Sequence, residues 1–115
     1  MRKTEMVVAE NILQRIGVSE KVLTEFCKRW MVLELSAFGS VLTKRFNGQS
    51  DVDFLVTFSP KAHWSLMDLV RMDEEIERIV GRDVDVVEKE AIEESENWIK
   101  KKMILERAKP VYVEG

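Results

Sequence analysis

Cysteine is nearly absent. One thiol, Cys27, cannot close an internal disulfide, and one cysteine with one histidine, His63, cannot furnish a zinc site. Such a chain suits a reducing compartment, and the expected location is the cytoplasm. Proline and glycine are scarce, two and five residues respectively, so no flexible linker divides the chain and each of these residues marks a local break. Long apolar runs are missing. None nears the roughly 18 residues that a membrane span takes, and Glu5, Glu10, Asn11 and Gln14 interrupt the apolar positions near the start, leaving no signal-peptide core. Neither sign of charge dominates: 18 basic and 21 acidic residues give a net charge of −3, which disfavours bulk attraction to nucleic acid. What is present is ordinary for a folded chain, 45% apolar and 34% charged residues. The length allows one domain, residues 1–115.

Hydrophobic periodicity predicts a helix over residues 5–16, with Gly17 as its stop, and a second over 20–30 behind the N-cap Ser19. Cys27 shares the apolar face of that second helix with Val22, Leu23, Phe26 and Trp30, and reads as a core residue rather than a nucleophile. Strands are expected over 32–38, 52–58 and 83–87, and a long helix from 66 to 80 ending at Gly81. A last helix over 97–108 stops before Pro110, and Val111, Tyr112 and Val113 suggest a short terminal strand. The fold class is therefore α/β (α+β), a small mixed sheet of three or four strands flanked by helices.

One constellation carries chemistry. Phe38-Gly39-Ser40 is followed, ten residues on, by Asp51-Val52-Asp53. Asp51 and Asp53 stand two residues apart at the start of a strand, so their carboxylates leave the same face. Like charges so close must be neutralised, and hard oxygen donors suit Mg²⁺ or Mn²⁺. A bare Asp-x-Asp is ordinarily a solvated strand entrance; the neighbouring motif changes its meaning. Glycine lets a backbone approach a phosphate closely, amides at a helix start favour an anion, and Ser40 adds a hydroxyl donor. An anion cradle beside a metal pair is what a nucleoside triphosphate with Mg²⁺ requires. Asp85, between Val84 and Val86 on the third strand, joins the cluster if that strand lies beside the second; three carboxylates then suffice for two metal ions. Asp83 is the less favoured alternative, being nearer the strand entrance.

These stretches resemble a minimal nucleotidyltransferase of the polymerase-beta superfamily, and more narrowly the antitoxin branch of the HEPN/MNT toxin–antitoxin pairs. The resemblance rests on Phe38 to Leu42, Phe46, Ser50 to Val56, Gly81 to Val87 and Glu94 to Ile99, with a softer match in Ile104-Leu105-Glu106 and Val111-Tyr112. It implies that Gly39 and Ser40 hold the triphosphate of ATP, that Asp51 and Asp53 bind Mg²⁺, and that Asp85 completes the metal site and helps activate the acceptor. Ser50 belongs with the nucleotide-binding candidates. The implied reaction moves AMP from ATP to a tyrosine hydroxyl of a partner HEPN ribonuclease toxin. Thr43 stands where many relatives carry Arg, and Gly48-Gln49 where they carry Pro-Asp; Lys44 or Arg45 would have to supply the missing cation. An antitoxin that neutralises its partner by stoichiometric binding alone is the second reading, and transfer to RNA ends or a small molecule a third.

The other features have plainer expectations. His63 reads as solvated and Trp64 as a packing residue. Asp73, Glu74, Glu75 and Glu77 read as a solvated helix face, with pairing to a basic partner as the alternative. Lys100, Lys101, Lys102 and Arg107 read as a solvated face of the last helix, with a reach to the triphosphate as the sharper option. Trp98 and Ile99 are expected to pack that helix to the core, and Met67, Met72 and Met103 to lie on apolar faces.

Overall fold

The computed structural model describes residues 12–115, and most of the predicted first helix lies outside them. Residues 12–16 are helical (α1) and turn at Gly17. The elements that follow are α2 (Glu20–Arg29), β1 (Val32–Phe38), a 3-10 turn (Gly39–Leu42), β2 (Val52–Phe58), α3 (Leu66–Val80), β3 (Val84–Glu88), α4 (Lys89–Glu93), α5 (Trp98–Arg107) and β4 (Lys109–Val113). The strands form one mixed sheet in the order β3-β2-β1-β4. β1 pairs antiparallel with both β2 and β4, while β2 and β3 run parallel, joined by the α3 crossover.

Local chemistry explains the helix ends. Ser19 accepts a hydrogen bond from the Val22 amide at 3.2 Å and caps α2. Ser65 and Asp68 form a reciprocal capping box at the start of α3; such caps contribute on the order of 1 kcal/mol. The hydrogen bond from Ser65 holds the Asp68 carboxyl below its ordinary range. Gly81 ends α3 in the left-handed region, φ 80°, which a side chain would resist. Asn97 caps α5, so the helix proper is one residue shorter at each end than expected. Pro110 sits in β4, an edge strand, where its missing N–H costs no ladder bond on the open side.

The core lies on one face of the sheet. Leu35 and Ala37 of β1 and Val52, Phe54 and Val56 of β2 meet Leu23, Phe26 and Cys27 of α2 and Met72, Ile76 and Val80 of α3. Burial pushes the Cys27 thiol up to about 12, so it stays protonated, as a core residue should. Trp64 packs edge-on against Trp30, ring centroids 5.0 Å apart, and donates its indole N–H to the Trp30 carbonyl.

Three expectations need correction. Trp98 and Ile99 do not reach the core: they are 69% and 56% exposed, and α5 buries no residue. Met67 and Met103 are likewise exposed, while Met72 is buried. The acidic run on α3 is not simply a solvated face. Glu75 pairs with Arg29 and accepts from the Trp30 indole at 3.1 Å, and Glu77 accepts from the Val84 amide at the start of β3. Burial raises the Glu75 carboxyl, but the bonds from Arg29 and Trp30 outweigh it and the net shift is downward.

Candidate active site

The sheet's second face carries the acidic residues. Along β2, Val52, Phe54 and Val56 belong to the core cluster and alternate with Asp53, Leu55 and Thr57, of which Leu55 is also buried, so Asp53 projects away from the α2 and α3 side. Asp51 precedes the strand with the same parity. In the parallel pairing of β2 and β3, Asp53 is the register partner of Asp85. Asp83 lies ahead of β3, its carbonyl accepting from the Val52 amide at 3.1 Å. Asp85 is thus the acidic residue of β3 that flanks Asp53.

Across the other edge of β2, Asp53 is the register partner of Phe38, the last residue of β1. This brings its carboxylate against Gly39, which opens the turn at φ 78°. A Cβ at residue 39 would lie 2.5 Å from Asp53 Oδ2. Only glycine satisfies both the backbone angle and this approach. Ser40 stands next in the turn, its hydroxyl 3.5 Å from the Asp51 carbonyl, long for a hydrogen bond.

Electrostatics report the same crowding. The Asp53 carboxyl titrates above its ordinary range, through burial first and then the negative charges of Asp85 and Asp51. Asp73 is also raised, by burial, then Glu77 and Asp85. Among the described residues no three His, Cys, Asp or Glu side chains form a ready-made ligand set. Asp51 and Asp85 are exposed and Asp53 is half-buried. The donors are all carboxylate oxygens, which suits Mg²⁺ or Mn²⁺ and not a soft metal.

The remaining candidates fall into two groups. Lys44 and Arg45 are exposed in the loop between the turn and β2. Ser50 is half-buried and its hydroxyl accepts from the Asn47 amide at 3.0 Å. On the other side of Gly39 lies a cleft of about 500 Å³ that the sequence reading did not foresee, lined by Phe38, Leu42, Met103, Ile104, Arg107 and Lys109 among others. Arg107 and Lys109 therefore stand at this end of the sheet. Trp64 lies beside Trp30 and the start of β1, at the opposite end of that strand from Gly39. Arg15 and Arg82 were also missed. They hydrogen-bond the turn and the loop respectively; nothing in its local sequence marks Arg15, and Arg82 falls within the Gly81–Val87 stretch without having been given a role.

Known proteins resemble this chain in sequence and in fold. Over 56 residues the chain is 41% identical to a Methanocaldococcus jannaschii protein named as a candidate protein adenylyltransferase, MJ0435; the match covers 49% of this chain and 58% of that relative's length. The fold is similar to that of a toxin–antitoxin crystal structure with AMP-PNP (TM-score 0.63, 13% identity, 84% of this chain and 75% of that one). It is similar also to a structure described as a candidate minimal nucleotidyltransferase, with TM-score 0.61 and 24% identity over 87% of this chain and 92% of that one. At such identities the likeness is one of fold. The sequence match to the nucleotidyltransferase domain family runs over residues 19–111, from the cap of α2 into β4 and through every candidate residue, and the chain belongs to that family.

Proposed function

We propose that this nucleotidyltransferase is a Mg²⁺-dependent protein adenylyltransferase that acts as an antitoxin, moving AMP from ATP to a tyrosine hydroxyl of a HEPN ribonuclease toxin. The observation that supports the reading best is the meeting of Asp53 with Gly39 on one side and Asp85 on the other. It sets the Gly39–Ser40 turn, the candidate phosphate cradle, beside carboxylates that offer hard oxygen donors. The named activity of the MJ0435 relative and the toxin–antitoxin character of the structural neighbours favour the same conclusion.

In this reading the Gly39 and Ser40 amides and the Ser40 hydroxyl take the triphosphate oxygens. Asp51, Asp53 and Asp85 would hold a divalent cation, which lowers the charge barrier to attack at the α-phosphate. The acceptor oxygen bonds to the α-phosphorus as the bond to pyrophosphate breaks; its proton passes to Asp85. Products are the AMP ester of the acceptor and free pyrophosphate. Positioning and charge neutralisation carry the reaction. Thr43 offers no cation to the phosphates, and Lys44, Arg45, Arg107 and Lys109 are the nearby alternatives. The exposed Ile99 and Met103 of α5 lead into the cleft beside Gly39 and give a protein acceptor an apolar ledge.

The test is direct. With labelled ATP, Mg²⁺ and the toxin encoded beside it, the protein should label the toxin. Asp51→Asn with Asp53→Asn should abolish labelling in a protein that still unfolds cooperatively. Persistent labelling by that variant overturns the metal assignment. Full protection of cells by it, without labelling, favours the second reading, stoichiometric capture, for which the exposed α5 face speaks independently.

A further inference from the structure

Ten residues separate Ser40 from Asp51, and their conformation decides whether the turn and the acidic pair face each other. Two arginines from distant parts of the chain grip this segment. Arg15, on α1, donates from Nη1 to the Val41 carbonyl and from Nη2 to the Thr43 carbonyl, both at 2.6 Å. Arg82, between α3 and β3, donates from Nη1 alone to the carbonyls of Asn47 and Ser50, both at 2.9 Å. One grip thus closes on the tail of the phosphate turn, the other on the residue immediately before Asp51. They meet at one side chain: Phe46 carries the Arg15 guanidinium 5.2 Å and the Arg82 guanidinium 4.6 Å from its ring centroid.

We propose that Arg15 and Arg82 are positioning residues, a paired guanidinium clamp that sets the separation between the Gly39–Ser40 turn and the Asp51–Asp53 pair through Phe46. The inference rests on the nucleotidyltransferase reading above for what the positioned groups bind. The donors of Arg15 that reach the turn are committed to backbone carbonyls, as is Nη1 of Arg82, so the clamp acts through the main chain. Between the grips the loop holds itself: Asn47 Oδ1 accepts from the Gln49 amide at 2.7 Å, and Asn47 and Ser50 exchange two further bonds. Asn47 therefore moves with Ser50, and Ser50 with Asp51. A guanidinium over an aromatic face adds attraction that a neutral side chain lacks.

The two grips differ in a way that separates positioning from general support. Arg15 uses two nitrogens for two carbonyls, a fork that lysine cannot reproduce. Arg82 uses one nitrogen for both, which an ammonium can replace. The experiment measures amide exchange over residues 43–51 in the metal-free protein and Mg²⁺-ATP affinity by calorimetry, in Arg15→Ala, Arg15→Lys, Arg82→Ala and Arg82→Lys. Expected are exchange faster by about tenfold over that segment and Kd weaker by about tenfold in both alanine variants. Lysine should recover most of both losses at 82 and little at 15, with the melting temperature of each lysine variant near that of the parent. Unchanged exchange in the alanine variants overturns the clamp. Faster exchange with unchanged Kd overturns the positioning role and leaves the nucleotidyltransferase reading standing. A parent protein that binds no Mg²⁺-ATP overturns that reading, and the exchange pattern with its asymmetric lysine rescue then decides the clamp alone.

Discussion

The two faces of the sheet use the same strands for opposite ends. On one, Leu35, Ala37, Val52, Phe54 and Val56 pack under α2 and α3 with little contact with water. On the other, Asp51, Asp53 and Asp85 share space with Leu55 and Val87, and α5 stands by with no buried residue. Side chains that alternate with a period of two let neighbouring residues of one strand serve the core on one face and an acidic cluster on the other. The price is local: Asp53 is held against Gly39 and beside two like charges.

This division can be broken from either side. The largest loss of stability should come from the core face. Phe54→Ala removes a fully buried ring and should cost about 3–5 kcal/mol in urea unfolding. Gly39→Ala comes next. It strains a positive φ and drives a methyl into the Asp53 carboxylate, so a cost of about 1–3 kcal/mol is expected, together with loss of nucleotide transfer in a labelling assay. A smaller effect tests the charge crowding. Because the folded state holds the Asp53 proton more tightly than the unfolded chain, stability falls as pH rises from the ordinary carboxylate range through the raised folded value. Asp53→Asn removes that slope. In metal-free buffer the variant should gain stability relative to the parent as pH rises towards neutrality; a parallel pair of pH–stability curves refutes the crowding. The smallest change belongs to α5. Trp98→Ala should alter unfolding free energy by less than about 0.5 kcal/mol while weakening co-purification with a toxin partner. A large loss of stability there would mean that this face is core after all.

Much of this division was readable in advance, and the failures share a cause. Alternation in residues 32–38 and 52–58, and the 3.6-residue spacing of Leu69, Met72, Ile76 and Val80, reflect burial against a single core, so both strands and α3 appear within a residue of expectation. The third strand is displaced by one: Asp83 contributes only its carbonyl, to the Val52 amide, in the first bond of the parallel ladder that pairs Val52 with Val84. α4 was not foreseen: it is five residues long, has no side-chain cap and buries only Ile92. Trp98 and Ile99 were misassigned because an apolar residue on a helix is ordinarily core, and nothing local distinguishes a helix whose apolar positions face outward. Glu75, Glu77, Arg15 and Arg82 find partners that are distant or out of helical register, such as Arg29 and the carbonyls of the 43–50 loop. The spacing of Gly39, Ser40, Asp51 and Asp53 was legible because it is local; strand parity is the same for Asp83 and Asp85, so Asp85 was preferred only for its distance from the strand entrance, and its register with Asp53 came from the fold.

The parallel pairing of β2 with β3 also bears on when the acidic cluster is assembled during synthesis. Asp53 leaves the ribosome more than thirty residues before Asp85 does, and the two become neighbours only after α3 has crossed over. A nascent chain halted within α3 has its glycine turn and first two carboxylates but lacks the third. The acidic cluster is thus complete only once the crossover is in place.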